Sequence, residues 1–485
     1  MPKELQALRL MAITILFADL LLATSASAQS APTSPQHAWH GSAEFKVKAY
    51  TASSADSGFA LDQSKTYSLS ELIDVAEVHN PATRFAWERA RSQAAALGIA
   101  RSELYPTLAA AALSQTDSVQ AFFGDRFHGQ TIQNFQLALD LNYTLFDFGA
   151  RSGRIDAARA RLLSADFAFN DTHRIIINQV QQAYYRLLNA IGQEDSAQAS
   201  LANAKSVQQA AEERLSNGLA TLPDVLEARS AAAQAEYELQ AVVGTEEIAR
   251  GDLATAVGTS ATVAIKVQPL DQLTIPESVG ETIEQAIISA FGQRPDLMQQ
   301  AAEIQTANAR LKEARAAYYP TLDVNVSPAL PSLYGIQQPF GWSHTSDLTG
   351  SVSFGLKWTV LDGGARKGRV AQAQADIHAA EAQTNVRKNQ IADDVWAAYS
   401  KINTAFRQRQ AAIVLLDAAK QSYNAALESY KYGLRNLLDL TAAQRTLAQA
   451  RSADVSARTE VLTALADLAF ATGDSTQAAK GKSRQ

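Results

Sequence analysis

Leu145-Phe146-Asp147-Phe148-Gly149-Ala150-Arg151-Ser152-Gly153-Arg154 returns 215 residues later as Val360-Leu361-Asp362-Gly363-Gly364-Ala365-Arg366-Lys367-Gly368-Arg369. In each copy an alternating apolar run ends at an aspartate, a glycine turn follows, and a long Ala-rich segment free of proline begins. A change from period two to a helical period is a strand handing over to a helix. The chain thus carries one strand-to-helix junction twice, built on Asp147 and Gly149 and again on Asp362, Gly363 and Gly364.

Before the first junction, Phe135, Leu137, Leu139, Leu141, Tyr143 and Leu145 alternate with Gln136, Asp140, Asn142 and Thr144, which makes one face apolar and the other wet. Strands are expected near 107–118 and 133–146, separated by a loop carrying Phe122, Phe123, Gly124 and Phe127. After the junction, Ala150 to Asn217 holds 68 residues without proline. As a helix this would be roughly 100 Å long. Ile176, Val180, Ala183, Leu187 and Ala190 step by four and three, the seam of a coiled coil. Gly218 marks a turn, a returning helix opens near Pro223, and Gly258 closes it.

The second half repeats this plan. Tyr105-Pro106-Thr107-Leu108 and Asn80-Pro81 recur 214 residues on as Tyr319-Pro320-Thr321-Leu322 and Arg294-Pro295. Strands are expected near 321–329 and 349–361, where Val352, Phe354, Leu356, Trp358 and Val360 alternate. The seam returns as Ile391, Val395, Ala398, Ile402 and Ala405, and Gly433 and Gly473 repeat the two glycines. This is a tandem duplication, with repeats at 68–258 and 281–473, a linker at 259–280 and a tail at 474–485. In each repeat two shorter helices placed end to end match the long one, as a tube wall of uniform height requires.

A formal net charge of -6 leaves no broad basic surface, so nucleic acid is not expected as a partner. The absence of cysteine removes disulfides, thiolate metal sites and a thiol nucleophile together. Lys3 and Arg9, the apolar run Leu10 to Ala23 and the cleavage site Ala26-Ser27-Ala28 read as a secretory signal peptide over 1–28, followed by a flexible extension over 29–67. No later run approaches the ~20 apolar residues of a spanning helix, so strands must make any membrane crossing. No Walker loop, Gly-x-Ser-x-Gly or His-Glu-x-x-His is found and the seven histidines are scattered, so no enzyme, cofactor or metal is expected.

Four strands cannot close a barrel in one chain, because single-chain outer-membrane barrels begin at eight. Unpaired edges in lipid are costly, so other copies must close the sheet. Two copies would give a side-chain-filled barrel of eight strands and three a twelve-stranded one wide enough for water. The small, polar inward residues Ser351, Ser353, Gly355 and Thr359 favour three.

These residues together resemble the TolC-like outer-membrane efflux proteins from about Leu69 to Gly473: the doubled Tyr-Pro-Thr-Leu, the Phe-Asp-Phe-Gly and Leu-Asp-Gly-Gly strand ends, and the Gly-Leu turns. The resemblance implies a mainly α protein with a membrane β-barrel portion: long antiparallel coiled-coil helices forming a trimeric α-barrel in the periplasm, and four strands per protomer in a twelve-stranded barrel. It implies a homotrimer that meets a periplasmic adaptor (a membrane fusion protein) and an inner-membrane transporter of RND, ABC or MFS type. Small-molecule efflux and type I protein secretion both remain open. The rival reading is a soluble periplasmic coiled-coil scaffold, which leaves the alternating strands without a purpose.

The resemblance also places a periplasmic gate at the far helix ends. Tyr430, Arg435 and Asp439 match the family pattern around Gly433, and Asp224 matches the aspartate bonded by that tyrosine and arginine. A latch of Arg435 and Tyr430 on Asp224 is therefore expected, with a ring of Asp439 at the opening. Alternatively, the two aspartates simply suit the first turn of a helix. Pro223 and Ala442 depart from the family pattern, which weakens the expected cation affinity. The turns at Gly218, Leu219, Gly433 and Leu434 would meet the adaptor. Arg151, Arg154, Arg366, Lys367 and Arg369 crowd helix starts just below the barrel. They would contact lipid head groups of the outer membrane or pair with Asp147, Asp156 and Asp362.

Overall fold

The computed structural model describes residues 61–278, 280, 282–337 and 341–474. The signal peptide, most of the extension and residues 475–485 lie outside the described residues. The first repeat runs β1 (Thr66–Tyr67), α1 (Leu69–His79), α2 (Pro81–Ser102), β2 (Thr107–Phe123), β3 (Arg126–Phe146), α3 (Ala150–Ser216) and α4 (Leu222–Val257). The second runs β4 (Lys266–Val267), α5 (Ile283–Gln293), α6 (Pro295–Ala316), β5 (Thr321–Gln337), β6 (Trp342–Thr345), β7 (Thr349–Lys357), α7 (Ala365–Lys431) and α8 (Leu437–Thr472).

Local chemistry sets the helix starts. Pro81 and Pro295 occupy first helical positions, where a missing N–H costs nothing, and Asn80 caps α2 by accepting from the Ala82 N–H at 2.9 Å. α3 and α7 are each 67 residues long, about 100 Å. Every seam position read from the sequence is buried, from Ile176 to Ala190 and from Ile391 to Ala405.

The helices lie side by side as a strip. In the half nearer the strands the order is α2-α3-α6-α7, and in the far half α4-α3-α8-α7. The short helices meet end to end at mid-height, as their lengths require. Gly258, just past α4, takes φ +93° and lies so close to the start of α2 that a Cβ would sit 2.9 Å from the Asn80 Cα. Gly473 meets Arg294 in the same way, at 3.3 Å. Side chains then bind the incoming helix end: Asn80 Nδ2 donates to the Ala256 carbonyl at 3.0 Å, and Arg294 Nη1 to the Ala471 carbonyl at 3.3 Å. Both carbonyls belong to last turns that lack helical partners of their own.

In the second repeat this joint carries a buried ionic cluster. Asp296 receives Arg294 at 2.7 Å, Arg387 at 2.5 Å and Arg174 at 3.8 Å. Arg174 also bonds Asp171 at 2.7 Å, and Arg294 bonds Asp394 at 2.9 Å. Burial alone would push the Asp296 carboxyl up, but the Arg294 hydrogen bonds and the surrounding guanidinium charges hold it at about 2.

One antiparallel sheet has the order β2-β3-β5, with β6 and β7 both pairing along β5. It differs from expectation in three places. β2 and β3 pair without interruption as far as Phe123 and Arg126, so the expected loop is a tight hairpin around Gly124, whose φ is +71°. β5 likewise continues to Gln337, and the short fifth strand β6 pairs with its outer end. β7 stops at Lys357 rather than 361, because its partner β5 begins at Thr321 opposite Lys357; just beyond, Trp358 turns its indole N–H onto the Tyr318 carbonyl at 3.2 Å.

β2 on one side, and β7 with the short β6 above it on the other, are the sheet edges, and β2 and β7 connect to the edge helices α2 and α7. Large exposed apolar side chains follow those edges: Phe85 and Ile99 on α2, Tyr237 and Ile248 on α4, Val386 and Trp396 on α7. Among the described residues the central helix α6 has none, and α8 has only Leu438 at its tip.

Candidate functional site

The sheet separates two solvents. On one face Leu108 of β2, Leu137 and Leu139 of β3, Leu330 of β5, and Val352, Phe354 and Leu356 of β7 are exposed. The other face is polar and cross-linked by side chains. Ser327 Oγ donates to Asp140 at 2.6 Å, Asn325 Nδ2 to Asn142 at 2.7 Å, and Thr144 Oγ1 to Asp323 at 2.6 Å. Gly355, Ser353 and Ser351 of β7 lie opposite Asp323, Asn325 and Ser327, so three of the four small residues expected to face inward line the polar side, and Thr359 lies beyond the end of β7. An aromatic group marks the junction end of the apolar face, where Tyr319 stacks on Phe148 at 5.1 Å and Phe148 meets Phe146 edge-on at 5.7 Å. Such a girdle suits a head-group interface.

The junction is the same device twice. Asp147 Oδ2 accepts from the backbone N–H of Arg151 at 2.7 Å and from its Nε at 3.1 Å, while the Gly149 N–H reaches Oδ1 at 3.2 Å. Asp362 repeats this with Arg366 at 2.9 Å for both bonds and Gly364 at 3.1 Å. Gly149 and Gly364 hold φ of 99° and 88° at the helix N-caps, a conformation that glycine reaches without Cβ strain. The carboxylate serves as the N-terminal cap and also neutralises an arginine placed against the helix dipole.

This corrects the head-group reading for three residues. Arg151 and Arg366 are held by the junction aspartates, and Arg154 by Glu103 at 2.6 Å and Glu313 at 3.4 Å. Asp156 pairs with Arg159 and Lys312 instead of with any of the five. Arg369 and Lys367 are the two of the five without a protein partner among the described residues, and both are exposed.

At the far end the two turns are not equivalent. Asp224 and Asp439 both stand three residues inside a helix whose N-cap is Thr221 or Asn436. Thr221 donates its N–H and hydroxyl to Asp224 at 2.8 and 2.7 Å, and these bonds hold the Asp224 carboxyl below its ordinary value. Asn436 caps α8 with its own side-chain oxygen, accepting from the Asp439 N–H at 2.8 Å, and leaves the exposed Asp439 carboxylate free among the described residues.

The expected latch is therefore not made within one protomer. Thr221 occupies Asp224, the exposed Arg435 has no ion pair among the described residues, and the buried Tyr430 hydroxyl has no hydrogen-bond partner. Burial pushes the Tyr430 pKa up, with Arg214 opposing the shift and Asp224 adding to it. Arg214, absent from the sequence reading, is the cation beside Tyr430, 4.8 Å from its ring centroid. Gly218, Leu219, Gly433 and Leu434 form the outermost bends, and both leucines are exposed.

A polar-lined sheet with a lipid-facing exterior, continued by a strip of ~100 Å helices, defines a wall segment of a membrane channel with a tunnel. The chain belongs to the outer membrane efflux protein family, whose model matches residues 72–259 and 286–474. It is an outer-membrane channel component for efflux or secretion, with its helical tunnel in the periplasm. It is 27% identical over 413 residues to the protein CyaE of Bordetella pertussis, covering 85% of each chain. It is 24% identical over 342 residues to the outer membrane efflux protein BepC of Brucella suis, covering 70% of this chain and 72% of that one. A crystal structure of a membrane protein from Pseudomonas aeruginosa matches with a TM-score of 0.75 at 22% identity, over 93% of this chain and 100% of that one, a likeness of fold.

Proposed function

We propose that three copies close edge to edge into a passive conduit, which takes cargo from a periplasmic adaptor and an inner-membrane transporter and releases it outside the cell. The observation that carries this reading is the run of unpaired sheet edge and exposed apolar side chains down both sides of the strip. Copies of the chain fit those edges as no soluble partner would, because each edge passes from lipid to water. Membrane fractionation tests it: the chain is expected in outer membranes as a heat-resistant oligomer of three, and a soluble monomer would overturn the reading.

The gate in this proposal lies at the periplasmic tip. Asp439, free of its own cap, contributes one carboxylate per copy to a ring at the entrance. Arg435 reaches across to Asp224 of the neighbouring copy, the pair that one protomer does not make. Gly218, Leu219, Gly433 and Leu434 form the surface offered to the adaptor, and Lys367 and Arg369 are the residues left for lipid phosphates. In planar bilayers the Asp439→Asn channel is expected to lose cation preference and block by multivalent cations. Unchanged block would remove Asp439 from the entrance. Arg435→Ser is expected to raise conductance, and a wild-type value with assembly intact would refute the latch between copies.

A further inference from the structure

Arg214, in the last turn of α3, makes contacts that no other tip residue makes. Its Nη1 donates to the Tyr430 carbonyl at the end of α7, and its Nη2 to the Leu219 carbonyl in the first turn at 3.1 Å. The guanidinium covers the Tyr430 ring and fits against Gly433, where a Cβ would stand 3.6 Å from Nη2. One planar group thus joins the Leu219 and Tyr430 carbonyls, 211 residues apart in sequence. The Tyr430 carbonyl also accepts the Gly433 N–H at 2.9 Å, so Arg214 uses its second lone pair, while the Leu219 carbonyl lies past the end of α3. The repeat supplies no second copy of this contact, since Ser429 stands at the equivalent place four residues before Gly433.

We propose that Arg214 is a positioning residue that fastens the two tip turns of a protomer into one unit, so that they move together when the entrance opens. Arginine suits this task and lysine does not. A rigid fork can donate in two directions while stacking on the ring, whereas an ammonium on a flexible stem is a point charge. The buried Tyr430 side chain, packed in a cluster with Val207, Ala211 and Leu440, then anchors the fork to the coiled-coil core. Arg214 Nε and the Tyr430 hydroxyl, both buried without a partner, lie on this same contact.

This proposal rests on the tip being the entrance, and its test does not depend on conduction. The chain has no cysteine, so Ser216→Cys and Tyr432→Cys give one spin label on each turn without background. Labelled chain is co-expressed with excess unlabelled chain, so that each oligomer carries one labelled copy, and the label-to-label distance is measured by pulsed electron resonance. With Arg214 present, a single narrow distance is expected. Arg214→Ala and Arg214→Lys are both expected to add a second, longer distance while heat-resistant oligomers persist. If the alanine variant fails to assemble, Arg214→Gln replaces it. A single unchanged distance in the alanine or glutamine variant, or its restoration by lysine, would overturn the proposal.

Discussion

Asp296→Ala is expected to destabilise the protein by about 3–5 kcal/mol, because it removes the carboxylate from among three arginines and leaves charge buried without compensation. Arg174 and Arg294 are each only 2% exposed, so water cannot replace what is lost. Asp296→Asn keeps the shape and loses the charge, and should fall between alanine and the parent. The same cluster sets an acid limit. The folded pKa of Asp296, about 2, lies below the ordinary 3.8, so its stabilisation is complete above roughly pH 4 and is lost as pH falls towards 2. Heat resistance of the oligomer, followed by gel and circular dichroism from pH 7 downwards, checks both statements. An alanine variant as stable as the parent would mean that Asp171 and Asp394 suffice for the arginines.

Gly258→Val is expected to cost about 3 kcal/mol or more, from a β-branched residue forced to positive φ and a Cβ driven into backbone. The clash is with the Asn80 Cα and N and the His79 carbonyl, none of which is a flexible side chain that can swing aside. The ends of α4 and α2 must separate, and the Asn80 bond to Ala256 goes with them. Gly473→Val meets Arg294 at the looser 3.3 Å, partly through its side-chain Cγ, and should cost less. Ranking the two variants by melting temperature tests whether close end-to-end stacking supports the wall at mid-height.

Periodicity made most of the architecture readable. The seam positions are buried because a helix this long has only packing to hold it, and packing at a regular step leaves a regular sequence. The outer part of the hairpin, Val119 to Phe123 and Arg126 to Ile132, was not readable, since its residues carry no regular apolar-polar alternation. The junction aspartates were visible by repetition, while the fate of the arginines depended on Glu103 and Glu313, which only the folded chain brings to Arg154. Asp224 was read first as the acceptor of Arg435 and Tyr430, whereas within the protomer its own Thr221, three residues back, takes that carboxylate. Arg214 was hidden because it breaks the repeat that organised everything else.

The open edge of β2 has a kinetic consequence. Along its 17 residues about half of the backbone groups point outward and have no partner in a lone copy, and each costs several kcal/mol in hydrocarbon. A single copy therefore has no stable life inside the bilayer, and joining the ring and entering the membrane become one event. A ring once inserted cannot trade a damaged copy for a fresh one, since removal would strip two neighbours of their strand pairing at the same moment. Renewal of these channels should follow synthesis of whole rings and the age of a ring should be that of all its members.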